Sequence, residues 1–108
     1  MMVRVLLAIG CMGVLAIAPA RAYEGQEKDF SVCTQGQGKV DNASVVGACT
    51  RLIDNAAKEN EMVGFFHALR AAANDDKASN CADAHKVLEL TQDPTFVEGA
   101  KTLMKVNC

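Results

Sequence analysis

The chain has 108 residues, with 13 acidic side chains against 11 basic ones and a net charge of −2. Its Lys and Arg are scattered, so it lacks the clustered basic face that nucleic-acid binding by counterion release requires, and also the basic amphipathic stripe of a membrane-surface helix. A chain of this length holds one modest hydrophobic core, and its five cysteines point to covalent staples as a second source of stability.

Met1-Met2-Val3-Arg4 is a short positive head. Val5 to Ala18 carries no charge and is mostly Leu, Ile, Val and Ala. Pro19 ends that run, and Ala20-Arg21-Ala22 supplies the small-x-small pattern that a signal peptidase reads. The apolar run, about 14 residues, is shorter than the ~20 needed to span a bilayer as a helix. A secretory signal peptide over 1–22 is therefore expected, with cleavage between Ala22 and Tyr23. A lipoprotein with Cys11 acylated is the weaker reading. The apolar run continues past that cysteine, and Ala8 stands where Leu is usual. Processing removes Arg4 and Arg21 and leaves 13 acidic against 9 basic residues, a net −4. The expected product is periplasmic or secreted, with no membrane attachment and no affinity for nucleic acid.

Four cysteines remain in that product: Cys33, Cys49, Cys81 and Cys108. An even number in a short exported chain reads as a disulfide framework. Three pairings are open. Cys33–Cys49 with Cys81–Cys108 is favoured because each bond closes a local loop. The chain-entropy model assigns such loops about 3 and about 3.6 kcal/mol.

Residues 23–40 are polar and hold several Gly and Gln, which reads as a flexible, extended or partly ordered lead-in tied down by Cys33. From Asp41 the apolar period becomes helical. Val45, Val46, Cys49, Leu52, Ile53 and Ala56 form one stripe, and Asp41 or Asn42 can cap its start. A second helix is expected from about Asn60 to Ala73, with Met62, Phe65, Phe66, Leu69, Ala72 and Ala73 inward. It ends at Asn74, in the left-handed conformation. A third is expected over about Ala78–Leu90, with Cys81, Ala84, His85 and Leu88 on one face. Asp93 capping Pro94, or Thr95 with Glu98 as a capping box, opens a fourth that runs to about Val106. No stretch alternates as a strand does. The expected fold is all-α: residues 41–108 form four antiparallel helices, as two hairpins stapled by two disulfides.

Leu52-Ile53, Met62-Val63 and Leu69 align roughly with Val87-Leu88, Phe96-Val97 and Leu103 at an offset of about 34, the period of tetratricopeptide helix pairs. Val46-Gly47-Ala48-Cys49-Thr50-Arg51-Leu52-Ile53 resembles the first helix of small exported tetratricopeptide-like proteins of Gram-negative bacteria. Leu88-Glu89-Leu90 followed by Asp93-Pro94 is similar to the end of such a repeat, with Thr91 and Gln92 inserted. The resemblance covers about half of the processed chain. It implies a periplasmic helical-hairpin scaffold that binds other proteins, and it implies no catalytic residues.

The residues offer little convergent chemistry. Cys81 and His85 stand at i, i+4, a workable spacing for two metal ligands, and with His67 and Cys108 a Cys2His2 set is conceivable. In an exported chain the disulfide is the stronger reading of Cys81 and Cys108, so no metal or other cofactor is expected. His67 has no nucleophile near it in sequence and is expected to be a partly exposed structural histidine. Asp75-Asp76 lacks the spacing of a calcium loop and reads as a turn that caps the third helix. Met62, Phe65, Phe66 and Met104 at helical spacing are core first and ligand groove second. The expectation is a non-enzymatic exported protein-interaction module. A protective protein is the alternative: an inhibitor or immunity factor, or an acid-stress holdase that exposes apolar surface as its carboxylates neutralise.

Overall fold

A computed structural model describes residues 23–108. The expected signal peptide and its cleavage after Ala22 lie outside the described residues. Among the described residues five helices follow one another: α1 Gln26–Gln35, α2 Asn42–Asp54, α3 Glu61–Ala73, α4 Lys77–Leu90 and α5 Pro94–Asn107. Among the described residues there is no strand. Disulfides join Cys33 to Cys49 and Cys81 to Cys108, with Cα–Cα separations of 5.0 and 5.3 Å.

Local chemistry sets most of the boundaries. The Asp41 side chain accepts from the Ser44 N–H at the start of α2, Asn60 from Val63 at α3, Asp76 from Ser79 at α4 and Asp93 from Thr95 at α5. Each satisfies one of the amide groups that a helix start leaves unpaired. Pro94 occupies the first turn of α5, where its missing N–H costs nothing. Asn74 is extended (φ −103°, ψ 140°) rather than left-handed. Its side chain serves the next helix instead, bonding Ser79 Oγ and the Asp76 N–H.

The lead-in is the main correction. Residues expected to be a flexible lead-in, extended or partly ordered, form α1, which buries only Asp29 and Cys33 and so carries no apolar stripe in its sequence. What orders it is tertiary: the bond from Cys33 to Cys49 and an ion pair from Asp29 to Arg51. Glycine makes both ends possible. Gly25 precedes the helix at φ +88°, and at Gly36 a side chain would collide with the Val32 carbonyl.

Each helix packs on the next in sequence, and α1 also meets α3 as α3 meets α5. Two cores result. The first joins Cys33, Val45, Ala48, Cys49, Leu52, Phe66 and Ala73, from α1, α2 and α3. The second is smaller: Ala84, Val87 and Ala100, with Ala68, Phe96 and Leu103 packed against it. Gly64 lets α3 approach the end of α4, since a Cβ there would lie 3.1 Å from Leu90 Cβ.

Two faces are rotated from expectation. On α3, Val63, Gly64 and His67 are buried, whereas Met62 is 49% exposed and Ala72 is exposed. On α4 the buried set is Asn80, Asp83, Ala84 and Val87, with His85 exposed. The rotation has one cause. His67 and Asp83 point at each other across the α3–α4 contact, and that pairing brings both polar side chains inside.

Candidate functional site

Among the described residues three places carry chemistry. The first is a groove of about 360 Å³ between α1, the 55–60 connection and the start of α3. Leu52, Val63 and Phe66 line its inner part, and Tyr23, Phe30 and Met62 stand at its mouth. The six-residue connection from α2 to α3 forms one side of it. Phe30 reaches into it from α1, edge-on to Phe66 with the ring centroids 6.0 Å apart. Phe30 is 43% exposed, so it and Met62 present apolar surface to solvent at the rim.

The wall of the groove is fixed by a polar cluster. Arg51 donates twice to Asp29, from Nε at 2.9 Å and Nη2 at 2.8 Å, and the Tyr23 hydroxyl donates to Asp29 Oδ2 at 2.7 Å. The Arg51 hydrogen bonds hold the Asp29 carboxyl below the ordinary range, and burial together with the hydrogen bond to Asp29 pushes the Tyr23 phenol up to about 12. Asp29 thus seats α1 on α2 and positions the Tyr23 ring.

The second place is the interior of the α3–α4 contact. Asp83 is 2% exposed and His67 6%. His67 Nδ1 lies 2.8 Å from Asp83 Oδ1; Arg70 donates to both carboxylate oxygens, at 2.9 and 2.6 Å, and to Thr50 Oγ1 at 3.1 Å. Burial pushes the Asp83 carboxyl up. The bonds from Arg70 and His67 outweigh that and hold it below the ordinary aspartate range. An ionised carboxylate only accepts, so the proton of this contact sits on His67 Nδ1. Every oxygen of Asp83 is occupied by helix-anchoring partners, and the cluster ties α2, α3 and α4 together.

The third place is Cys81, His85 and Cys108, whose ligating atoms all lie within 4.8 Å of one another. Cys81 and Cys108 are joined as a disulfide. The imagined Cys2His2 set is split, because His67 is committed to Asp83. Asp76 caps α4, accepting from the Ser79 N–H.

The four cysteines pair as expected. Tyr23, singled out only as the residue after the cleavage point, takes part in the groove. Asp29, Arg70 and Asp83 were not singled out in the sequence. Arg70 three residues after His67 on one helix is a weak sign of a shared acidic partner, but nothing in the sequence says that Asp83 is that partner.

No family model, curated protein or solved structure matches this chain. The likeness to tetratricopeptide-type proteins therefore rests on the residues quoted above. Two disulfides point to an oxidising compartment outside the cytoplasm. Among the described residues, no helix is long and apolar enough to cross a membrane.

Proposed function

We propose that this chain is a non-enzymatic, exported protein-interaction module of the periplasm, built as tetratricopeptide-like helical hairpins, that takes an apolar segment of another protein into the groove beside α1. The groove carries the reading: about 360 Å³ with Leu52 and Phe66 inside, and with Phe30 and Met62 exposed at its rim. Large apolar side chains gathered around a concavity mark binding surfaces. The unbranched Met62 can adapt to differing partners. The stepwise packing of each helix on the next supports the hairpin scaffold.

The test is selection of peptides from a random display library on the purified chain. The peptides enriched are expected to be apolar, and Met62→Asp is expected to weaken their binding by about tenfold or more. Because Met62 is half exposed, the variant should keep its helical circular dichroism. No enrichment, or binding that Met62→Asp leaves intact, would refute the groove.

A second reading, an acid-stress holdase, draws on the buried Asp83 cluster. Acid would protonate Asp83, release Arg70 and His67 and loosen α3 from α4. Protection of an aggregating client at pH 2–3 that is absent at pH 7 would favour it over the peptide groove.

A further inference from the structure

The two disulfides differ in how they are buried. Cys33 and Cys49 are both fully buried in the first core. Cys81 is partly exposed, and Cys108 and His85 are exposed, at the outer edge of α4 and the end of α5. Access governs thiol–disulfide exchange, so a thiol reductant reaches Cys81–Cys108 first. Breaking it leaves the pieces of a metal site. Helix α4 presents Cys81 and His85 one turn apart on one face, and α5 brings Cys108 to them.

We propose that Cys81, His85 and Cys108 form a redox-gated site for a thiolate-seeking d10 cation, Zn2+ as the type case: closed as a disulfide, open when reduced. A dithiol supplies two electrons and two protons to the Cys81–Cys108 bond and leaves as its own cyclic disulfide. Zn2+ then displaces one proton from each thiol, takes two Sγ and one imidazole nitrogen, and completes its tetrahedron with water. The geometry asks little of the protein. Bond lengths of about 2.3 Å to sulfur and about 2.0 Å to nitrogen place ligand atoms about 3.5–3.8 Å apart. The sulfurs must part to that distance, and the whole set, now within 4.8 Å, tightens by about 1 Å. Cys108 follows the last helical residue and is exposed, so side-chain rotation there moves its sulfur without unpacking α5. Lys86, the charged neighbour of His85, is drawn aside by Glu59 and Glu89. Softness of the ligands selects zinc or Cu(I) over magnesium or calcium.

The test compares the oxidised full chain with the chain reduced by limiting dithiol, freed of reductant, and titrated with Zn2+ alone against a chromophoric chelator. Alkylation and mass measurement establish which bond is open. The expected result is one Zn2+ per reduced chain and none per oxidised chain, with a thiolate charge-transfer band when Co2+ replaces zinc. His85→Ala should weaken zinc by more than about tenfold, the loss that even outer-shell partners of a metal cause. Cys81→Ser with Cys108→Ser should abolish it at unchanged helicity. If reduction melts the chain, Zn2+ must restore its helical signal. A reduced chain that binds no zinc, or one that melts and does not recover with zinc, overturns the proposal. So does equal binding by the oxidised chain, or zinc binding indifferent to His85→Ala.

Discussion

The two ends of this molecule solve the problem of a small core in opposite ways. Around α1 and α2 the covalent bond lies inside: Cys33 and Cys49 are themselves core residues, packed with Val45, Leu52 and Phe66, while the buried Asp29 is paired with an Arg51 that reaches solvent, its side chain 57% exposed. Around α4 and α5 the arrangement is inverted. The disulfide is at the rim, the apolar core shrinks to Ala84, Val87 and Ala100 with their neighbours, and the interior carries a carboxylate. A buried charge is tolerable when its hydrogen bonds are complete, and ruinous when they are not. The first region should therefore depend on its sulfur, and the second on Asp83.

The largest effect follows from that contrast. Asp83→Ala removes the shared partner of the partly buried Arg70 guanidinium and the buried His67 imidazole, and should cost about 3–5 kcal/mol of unfolding free energy in denaturant melts. Arg51→Ala, which leaves the buried Asp29 with the Tyr23 hydroxyl as its remaining partner, should cost less. The pH dependence carries the same signature. Asp83 and Asp29 have folded-state values below the ordinary carboxylate range, so the unfolded chain binds their protons more readily. Their stabilisation is full above about pH 5 and is lost as pH falls through the depressed values, below about 4. Asp83→Ala should flatten that acid limb. An equal cost for Asp83→Ala and Arg51→Ala would erase the distinction between the two regions.

Next in size are the disulfides. Loop length alone ranks Cys81–Cys108, which spans 27 residues, above Cys33–Cys49, which spans 16, by about 0.5 kcal/mol in favour of the longer loop. Burial predicts the reverse. Cys33→Ala with Cys49→Ala loses packed sulfur from a filled core as well as the crosslink, about 4 kcal/mol or more together, against about 3.6 for Cys81→Ala with Cys108→Ala. Paired melts of the two double variants decide which term governs.

Much of this was legible in the sequence, and the limits are physical. Caps at Asp41, Asp76 and Asp93 are short-range hydrogen bonds between near neighbours, so residue type and position are enough to place them. The disulfide pairing was legible because both loops are local. Helix α1 was not. Its order comes from Cys33, Asp29 and Gly36 meeting groups far along the chain or within its own backbone, and its polar sequence has no period to read. The inward faces of α3 and α4 were misjudged by about one residue for a related reason. Hydrophobic periodicity assigns polar side chains to solvent, yet His67 and Asp83 are buried as a mutually satisfied pair that only the tertiary fold brings together. The groove was half legible: Met62 and Phe66 were recognised as a stripe, but the exposure of Met62 and the arrival of Phe30 depend on α1.

The smallest effect tests whether the two regions are separate at all. Helix α3 serves both, giving Phe66 and Ala73 to the first core and Ala68 to the second, and its Arg70 binds Asp83 of α4 and Thr50 of α2. A shared helix should make unfolding one cooperative event. Asp76→Ala removes the cap of α4, far from Tyr23, and should cost about 1 kcal/mol. The chain has one Tyr and no Trp, so tyrosine fluorescence reports the α1 end, while far-ultraviolet circular dichroism reports all helices. In a single unit both probes shift together, by about 4–8 °C in melting temperature. If circular dichroism shifts while the Tyr23 transition stays, the regions melt as independent units. The buried sulfur of one and the buried charge of the other would then stabilise two separate folding units, and α3 would belong to whichever of them melts with it.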